Sequence, residues 1–223
     1  MTIAVGDIHG CLGPLKKLVA LLPPEEDLVF LGDYIDRGQS SAGVLRFLRQ
    51  LASQRSCRFL LGNHEDMLLA CGQSPAAEMT WLANGGRATL QSYGLEVGEW
   101  RLAPDRLAFL GDDRAFIQAM ELFVDSDTAI MVHAGLNPGE INMDRQSRHD
   151  ILWIREPFFN HPQAWRGKNI IFGHTPTQYM GLPLGHIYQA PPYFGIDTGC
   201  VYGGCLTALH TTTLDKWQVP NPL

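Results

Sequence analysis

The chain has 223 residues, 45% of them hydrophobic and 18% charged, with 14 Pro and 23 Gly, enough for one globular domain with a sizeable core. Lys plus Arg number 17 against 23 Asp plus Glu, a formal charge of −6; with no basic run, there is no electrostatic footprint for a nucleic-acid backbone or an anionic membrane surface. Apolar stretches such as Leu28-Val29-Phe30-Leu31 fall far short of the ~20 residues that span a bilayer.

Met1 to Val5 lead straight into Gly6-Asp7 with no basic segment and apolar leader core, so no cleaved secretory leader is expected. Residues 3–5 read as a strand that ends in Gly6-Asp7-Ile8-His9-Gly10. Leu12, Leu15, Leu18, Val19 and Leu22 then recur at helical spacing until Pro23-Pro24 stop them. A second strand, 28–31, ends in Gly32-Asp33-Tyr34-Ile35-Asp36-Arg37-Gly38, and Val44, Leu45, Leu48 and Leu51 mark a second helix. Residues 59–61 run into Gly62-Asn63-His64-Glu65-Asp66. Strand–helix alternation over 3–70 predicts parallel strands joined by helical crossovers, hence an α/β fold. Residues 76–125 read as a mostly helical insertion, interrupted at Asn84-Gly85-Gly86. Two more strands, 129–132 and 170–172, end in His133-Ala134-Gly135 and Gly173-His174-Thr175-Pro176, and Ile196, Val201, Leu206 and Leu209 suggest closing strands. The five cysteines, at 11, 57, 71, 200 and 205, are odd in number and form no CxxC pair, so a reducing cytoplasm is the expected location.

Any one of these strand-end polar residues reads as a turn former or helix cap. Five strand ends carrying carboxylate, imidazole or carboxamide groups together form a hard, thiolate-free donor set suited to divalent metal. Asp7, His9, Asp33, Asn63, His133 and His174 are too many ligands for one ion that keeps a position open for water, so two ions fit better. Arg37 in its Gly-flanked loop makes sense beside an acid cluster if an anion arrives there.

Gly6-Asp7-x-His9-Gly10, Gly32-Asp33-x-x-Asp36-Arg37-Gly38 and Gly62-Asn63-His64-Glu65, in that order, resemble the signature of the PPP-type serine/threonine protein phosphatases within the calcineurin-like metallophosphoesterases. His133-Ala134-Gly135, Trp153-Ile154-Arg155-Glu156, Gly173-His174-Thr175-Pro176 and Ile196-Asp197-Thr198-Gly199 are similar to the bacterial and lambda-phage-phosphatase-like branch. The resemblance spans about 3–209. It implies a single catalytic domain over 1–223, a sandwich of two mixed β-sheets flanked by helices with a dinuclear site at the strand carboxyl ends. It implies Asp7, His9 and Asp33 on a first ion and Asp33, Asn63, His133 and His174 on a second, with Mn first in order and Fe, Zn or Co as alternatives. His64 is then the general acid, Asp36 holds its ring, Arg37 and Arg155 grip phosphate, and a bridging hydroxide attacks in line. The expected substrate is a phosphoprotein or phosphopeptide carrying phosphoserine, phosphothreonine or phosphotyrosine; the alternative is a dinucleoside polyphosphate of the diadenosine tetraphosphate type. Asp36, Thr175-Pro176 and a short middle insertion favour the phosphatase, and a non-catalytic scaffold is disfavoured because every expected catalytic position is present.

Other residues carry plainer expectations. His174, on a strand end, is preferred to His186 as a ligand, and His149, His161 and His210 are expected at or near the surface. Glu65 and Asp66 read as helix-start residues, Cys11 as a small buried side chain and Arg87 as a solvated helix charge. Asp197 either orients a ligand or forms a turn. Trp81, Asn84 to Arg87 and Tyr93 are expected to wall the cleft and choose the substrate.

Overall fold

Strand β1 (Thr2–Val5) is followed by α1 (Leu12–Leu21), β2 (Asp27–Phe30), α2 (Ser41–Ala52) and β3 (Cys57–Phe59) in a computed structural model that describes residues 1–161 and 167–222. Leu22 takes up extended backbone ahead of Pro23 and so ends α1, because the proline ring disfavours helix at the preceding residue. Helices α3 (Asn63–Leu69), α4 (Pro75–Trp81), α5 (Arg87–Ser92), α6 (Val97–Trp100) and α7 (Asp112–Gln118) come next, with a π-helical turn at Leu82–Gly86. That turn is the expected interruption, and Gly85 sits within it at φ 108°, a conformation that costs a residue with a Cβ. The remaining elements are β4 (Phe123–Asp125), β5 (Ala129–Val132), α8 (Arg148–Trp153), α9 (Glu156–Phe159), β6 (Asn169–Phe172), β7 (Tyr188–Ala190), β8 (Tyr193–Gly195), β9 (Cys205–His210) and β10 (Lys216–Pro220).

The strands form two mixed five-stranded sheets, ordered β10-β9-β1-β2-β3 and β4-β5-β6-β8-β7. β1, β2 and β3 run parallel, as do β5, β6 and β8, while β9, β10, β4 and β7 pair antiparallel. Side chains alternate across each strand. Ala4, Val29, Leu31, Met131, Ile171 and Leu209 belong to a layer between the two sheets. Ile3, Val5, Leu28, Phe30, Ile130 and Phe172 turn outward into the larger core with Leu15, Leu18, Leu45 and Leu48 of α1 and α2. Strands buried on both faces explain the near-continuous apolar runs of the sequence. The expected two-sheet sandwich flanked by helices is therefore the fold. One expected closing strand differs: Leu206 and Leu209 lie in β9, but Val201 lies in a short 3₁₀ turn, Cys200–Tyr202, and Ile196 just beyond β8. Gly199 and Gly203, both at positive φ, close the chain around that turn. No helix among the described residues is long and apolar enough to cross a membrane.

Candidate metal centre

Both sheets deliver their parallel strands to one place. The loop after β1 is tied to the loop after β2: the N–H groups of Ile8 and His9 both donate to the Asp33 carbonyl (3.1 and 2.8 Å), and Gly10 N–H to that of Tyr34 (2.8 Å). The Glu65 carboxylate, fully buried, accepts from the N–H groups of Asp33 (3.0 Å), Tyr34 (2.9 Å), Ile35 (3.2 Å) and Gly62 (3.1 Å). It thus caps the N-terminus of α3 through the Gly62 N–H and also latches the Asp33 loop to that helix. The second sheet joins through Gly173, whose N–H donates to the His133 carbonyl (2.8 Å), and His174, whose N–H donates to Asp7 Oδ2 (3.0 Å). A Cβ on Gly173 would fall 2.0 Å from Asp7 Oδ1, so only glycine allows the two loops to approach so closely.

Of the six non-glycine residues at positive φ among the described residues, five are His9, Asp33, Asp36, Arg37 and His174. Each such residue costs about 1 kcal/mol or more, and here the strain gathers on the strand-end loops. Asp7, His9, Asp33, Asp36, Asn63, His64, His133 and His174 are all buried. Asp33 is the hub. Its Oδ2 lies 3.4 Å from His9 Nε2 and 3.9 Å from His64 Nε2, and its Oδ1 lies 3.4 Å from His133 Nε2. Asn63 Oδ1 is 2.9 Å from His133 Nε2 and 2.8 Å from His174 Nδ1. Among the described residues, two groups of ligand atoms, His9–Asp33–His64 and Asp33–His133–His174, are close enough to hold an ion each; Asp7, expected on the first ion, is in neither group, and His64, expected as the acid, is in the first.

The chemistry of these donors fits a cation. His9 Nδ1–H donates to the Ile35 carbonyl and His133 Nδ1–H to that of Leu31, both at 2.8 Å, so each neutral ring presents its Nε2 lone pair to an Asp33 oxygen. Burial pushes His9, His133 and His174 below the ordinary histidine pKa, which disfavours relief by protonation. Burial, then the facing carboxylates of Asp197 and Asp33, push Asp7 up. Lone pairs set against carboxylates in a water-poor site suit bound divalent ions.

Residues 2–203 match the calcineurin-like phosphoesterase family model. The chain belongs to the calcineurin-like phosphoesterases. A symmetrical bis(5'-nucleosyl)-tetraphosphatase of Ralstonia nicotianae is 28% identical, over 94% of this chain and 88% of that one. Serine/threonine-protein phosphatase 1 of Salmonella typhimurium is 32% identical, over 91% and 88%. Among solved structures, one provisionally assigned as a diadenosine tetraphosphatase shares the fold with a TM-score of 0.69, 23% identity and coverage of 99% and 93%. The family uses dinuclear divalent metal, and this phosphoesterase has two donor groups to match.

Beside the cluster lies a cleft of about 450 Å³, with Arg37, Arg155, Glu156, Thr175, Tyr179 and Tyr202 in its walls. Arg37 Nη1 donates to His9 Nε2 (2.5 Å), and its guanidinium stands 5.7 Å from the centre of the Tyr202 ring. Arg155 Nη1 donates to Thr175 Oγ1 (2.9 Å). His64 Nδ1–H donates to Asp36 Oδ2 (2.7 Å), while its buried Nε2 has no hydrogen-bond partner. Burial opposes charge on the His64 ring, but the Asp33 and Asp36 carboxylates outweigh it and hold its pKa above the ordinary value.

All ten residues singled out from the sequence therefore meet in one region of this phosphoesterase. His186 does not join them; its carbonyl accepts from Thr177 Oγ1 (2.6 Å). His149 and His161 are exposed, whereas His210 is buried, with its Nδ1 accepting from the N–H groups of Thr212 and Thr213. Arg87 is exposed and Cys11 buried, as expected. Asp66 pairs with Arg148 outside the site (2.6 Å). Asp197 does form a turn, accepting from Gly199 N–H (3.1 Å), yet its buried carboxyl also faces Asp7, and burial pushes it up to about 6. Trp81, expected on the cleft wall, is instead fully buried behind Asp36 and absent from the cleft lining, and the part played there by Thr89 and Ser41 was not anticipated. Trp81 Nε1–H and Thr89 Oγ1–H both donate to the Asp36 carboxylate, and the Asp36 N–H donates to Thr89 Oγ1 (2.9 Å) and Ser41 Oγ (3.1 Å). Glu65 carried a legible signal, a Glu at the third helical position; Trp81 and Thr89 lie too far along the chain to carry one.

Proposed function

We propose that this phosphoesterase hydrolyses phosphomonoesters on proteins, chiefly phosphoserine and phosphothreonine, with phosphotyrosine as a further substrate. The observation that carries this reading is the His64–Asp36 pair, a histidine held at 2.7 Å by a buried carboxylate with its far nitrogen unpartnered beside Asp33. A serine alkoxide is strongly basic and needs a proton as its bond to phosphorus breaks, whereas a nucleotide phosphate leaves without one. A poised acid therefore contributes most on an ester of an alcohol. The 32% identical Salmonella phosphatase supports the same substrate class.

Asp7, His9 and Asp33 would hold one ion, and Asp33, Asn63, His133 and His174 a second, with Mn the first choice and Fe, Zn or Co also suited to these donors. Bound there, the ions supply an activated water and neutralise phosphoryl charge. Arg37 and Arg155 bind the phosphoryl oxygens from the cleft wall, where guanidinium forks match them. His64 delivers the proton on Nε2 to the leaving oxygen, and Asp36 fixes the ring by accepting from Nδ1. The free thiols support the cytoplasm as the working compartment.

A second reading, hydrolysis of a dinucleoside tetraphosphate, is favoured by the 28% identical Ralstonia relative and by the Tyr179 and Tyr202 rings beside the arginines, which offer stacking faces for a base. A turnover panel on Mn-loaded enzyme separates the two. Phosphoserine peptide should be hydrolysed at least comparably to p-nitrophenyl phosphate, with diadenosine tetraphosphate poor. His64→Asn should lower kcat on the peptide by roughly 10²- to 10⁴-fold and far less on p-nitrophenyl phosphate. Selective turnover of the dinucleotide over every phosphopeptide would overturn the proposal.

A further inference from the structure

The carboxylate behind His64 is held by a part of the chain, Trp81 to Thr89, whose side chains at Trp81 and Thr89 do not line the cleft. Asp36 is fully buried. Its Oδ2 accepts from His64 Nδ1 (2.7 Å) and Trp81 Nε1 (3.0 Å), and its Oδ1 from Thr89 Oγ1 (2.6 Å) and Trp81 Nε1 (3.1 Å). Thr89 Oγ1 also accepts from the Asp36 N–H (2.9 Å), clamping a residue whose φ of 71° puts it in the left-handed region that side chains disfavour. The Trp81 indole and Thr89 hydroxyl thus orient the carboxylate from behind, and Thr89 shares the backbone N–H that carries it with Ser41.

Trp81 has little freedom to move. It is fully buried, meets Trp100 edge to face at 5.4 Å, and lies over Gly86, where a Cβ would fall 2.5 Å from the indole. The adjoining Gly85 carbonyl accepts from the Arg37 N–H (3.3 Å), and a Cβ on Gly85 would fall 2.9 Å from that nitrogen. The segment from Trp81 to Thr89 therefore braces Asp36 and Arg37 from behind.

We propose that Trp81 and Thr89 are positioning residues: they lock the Asp36 carboxylate so that His64 is held with Nε2 toward the leaving-group oxygen. This rests on the reading of His64 as general acid. A mispositioned acid weakens proton transfer but leaves phosphate binding intact, so the loss falls on poor leaving groups and on kcat, not KM. The segment expected to choose substrates thereby acts on the acid itself.

The test is the leaving-group dependence of kcat across substituted phenyl phosphates, from p-nitrophenyl to unsubstituted phenyl, on Mn-loaded enzyme with metal content checked. Thr89→Val keeps the shape and removes the hydroxyl; Trp81→Phe keeps an aromatic ring against Trp100 and removes the N–H. Each should steepen the dependence, with kcat on phenyl phosphate down by about tenfold, p-nitrophenyl phosphate nearly unchanged and KM unmoved. Thr89→Ser should restore the shallow dependence. His64→Asn run alongside should show the same bias more strongly. If His64→Asn lowers all esters alike, His64 is not the acid and the inference falls with that reading. If His64→Asn shows the bias while both Thr89→Val and Trp81→Phe leave the slope at the wild-type value, with or without a uniform loss, the positioning role alone is overturned.

Discussion

Asp33 faces His9 through one oxygen and His133 through the other, so a single substitution there reaches both donor groups. Asp33→Asn should lower the content of both ions after dialysis, read by elemental analysis, and lower kcat at least about 10²-fold through lost charge stabilisation. Retention of two ions with near-normal turnover would refute the shared role. Glu65 serves four N–H donors from two loops. Because its loss leaves four buried N–H donors without an acceptor, Glu65→Ala should cost at least about 3 kcal/mol in urea unfolding, and Glu65→Gln less. Equal stability of Glu65→Ala and wild type would show that the latch contributes nothing.

Helix α3 and its neighbours carry protons that the fold retains in alkali. Burial pushes the Cys71 thiol, just past α3, up to about 12 and the Cys57 thiol at the start of β3 up to about 11. Burial, then the bond to Asp113, also push the Tyr93 hydroxyl up. All three are acids whose folded pKa exceeds the unfolded one, so the folded chain binds more protons above the unfolded thiol pKa of about 8.5. Their contribution is fully present below that pH and is lost as pH rises toward 11 and 12. Denaturation midpoints should accordingly fall between pH 8 and pH 11, and Cys71→Ala should flatten the fall; a midpoint that rises over this range would contradict the assignment. The turn between α4 and α5 is equally constrained. Gly86→Ala would drive a methyl into the Trp81 ring and should cost about 1–3 kcal/mol by overpacking, measured as a lowered unfolding midpoint.

Across the whole molecule the two sheets meet at loops whose donors repel one another without a cation between them. Chelation should therefore loosen the contact between sheets as well as abolish activity. At a free ion concentration a hundredfold above Kd, binding stabilises by about 2.7 kcal/mol, and a chain of this size gains roughly 5–10 °C in Tm from that. Adding Mn to chelator-treated protein should restore the Tm before substrate is present. A Tm identical with and without chelator, on protein shown to lose its metal, would mean the apo loops are held by the Glu65 latch and Gly173 contact alone.

Local chemistry made much of this legible from the chain itself. Strands buried on both faces must be apolar throughout, so residues 3–5, 28–31, 129–132 and 170–172 stood out, and polar groups at their ends could be read as one cluster. Edge strands β4 and β7 are three residues long and, with β10, lie partly in solvent, which removes the periodic signal, and Val201 kept a strand-like side chain in a turn set by two glycines. The donor types, their order and their strand-end placement followed from residue chemistry alone. What only the tertiary structure decided is which groups share an atom: Asp33 between two imidazoles, Glu65 across two loops, and Trp81 and Thr89 on Asp36 over separations of 45 and 53 residues. Such contacts depend on how helices dock against a loop, and no spacing rule along the sequence encodes that docking.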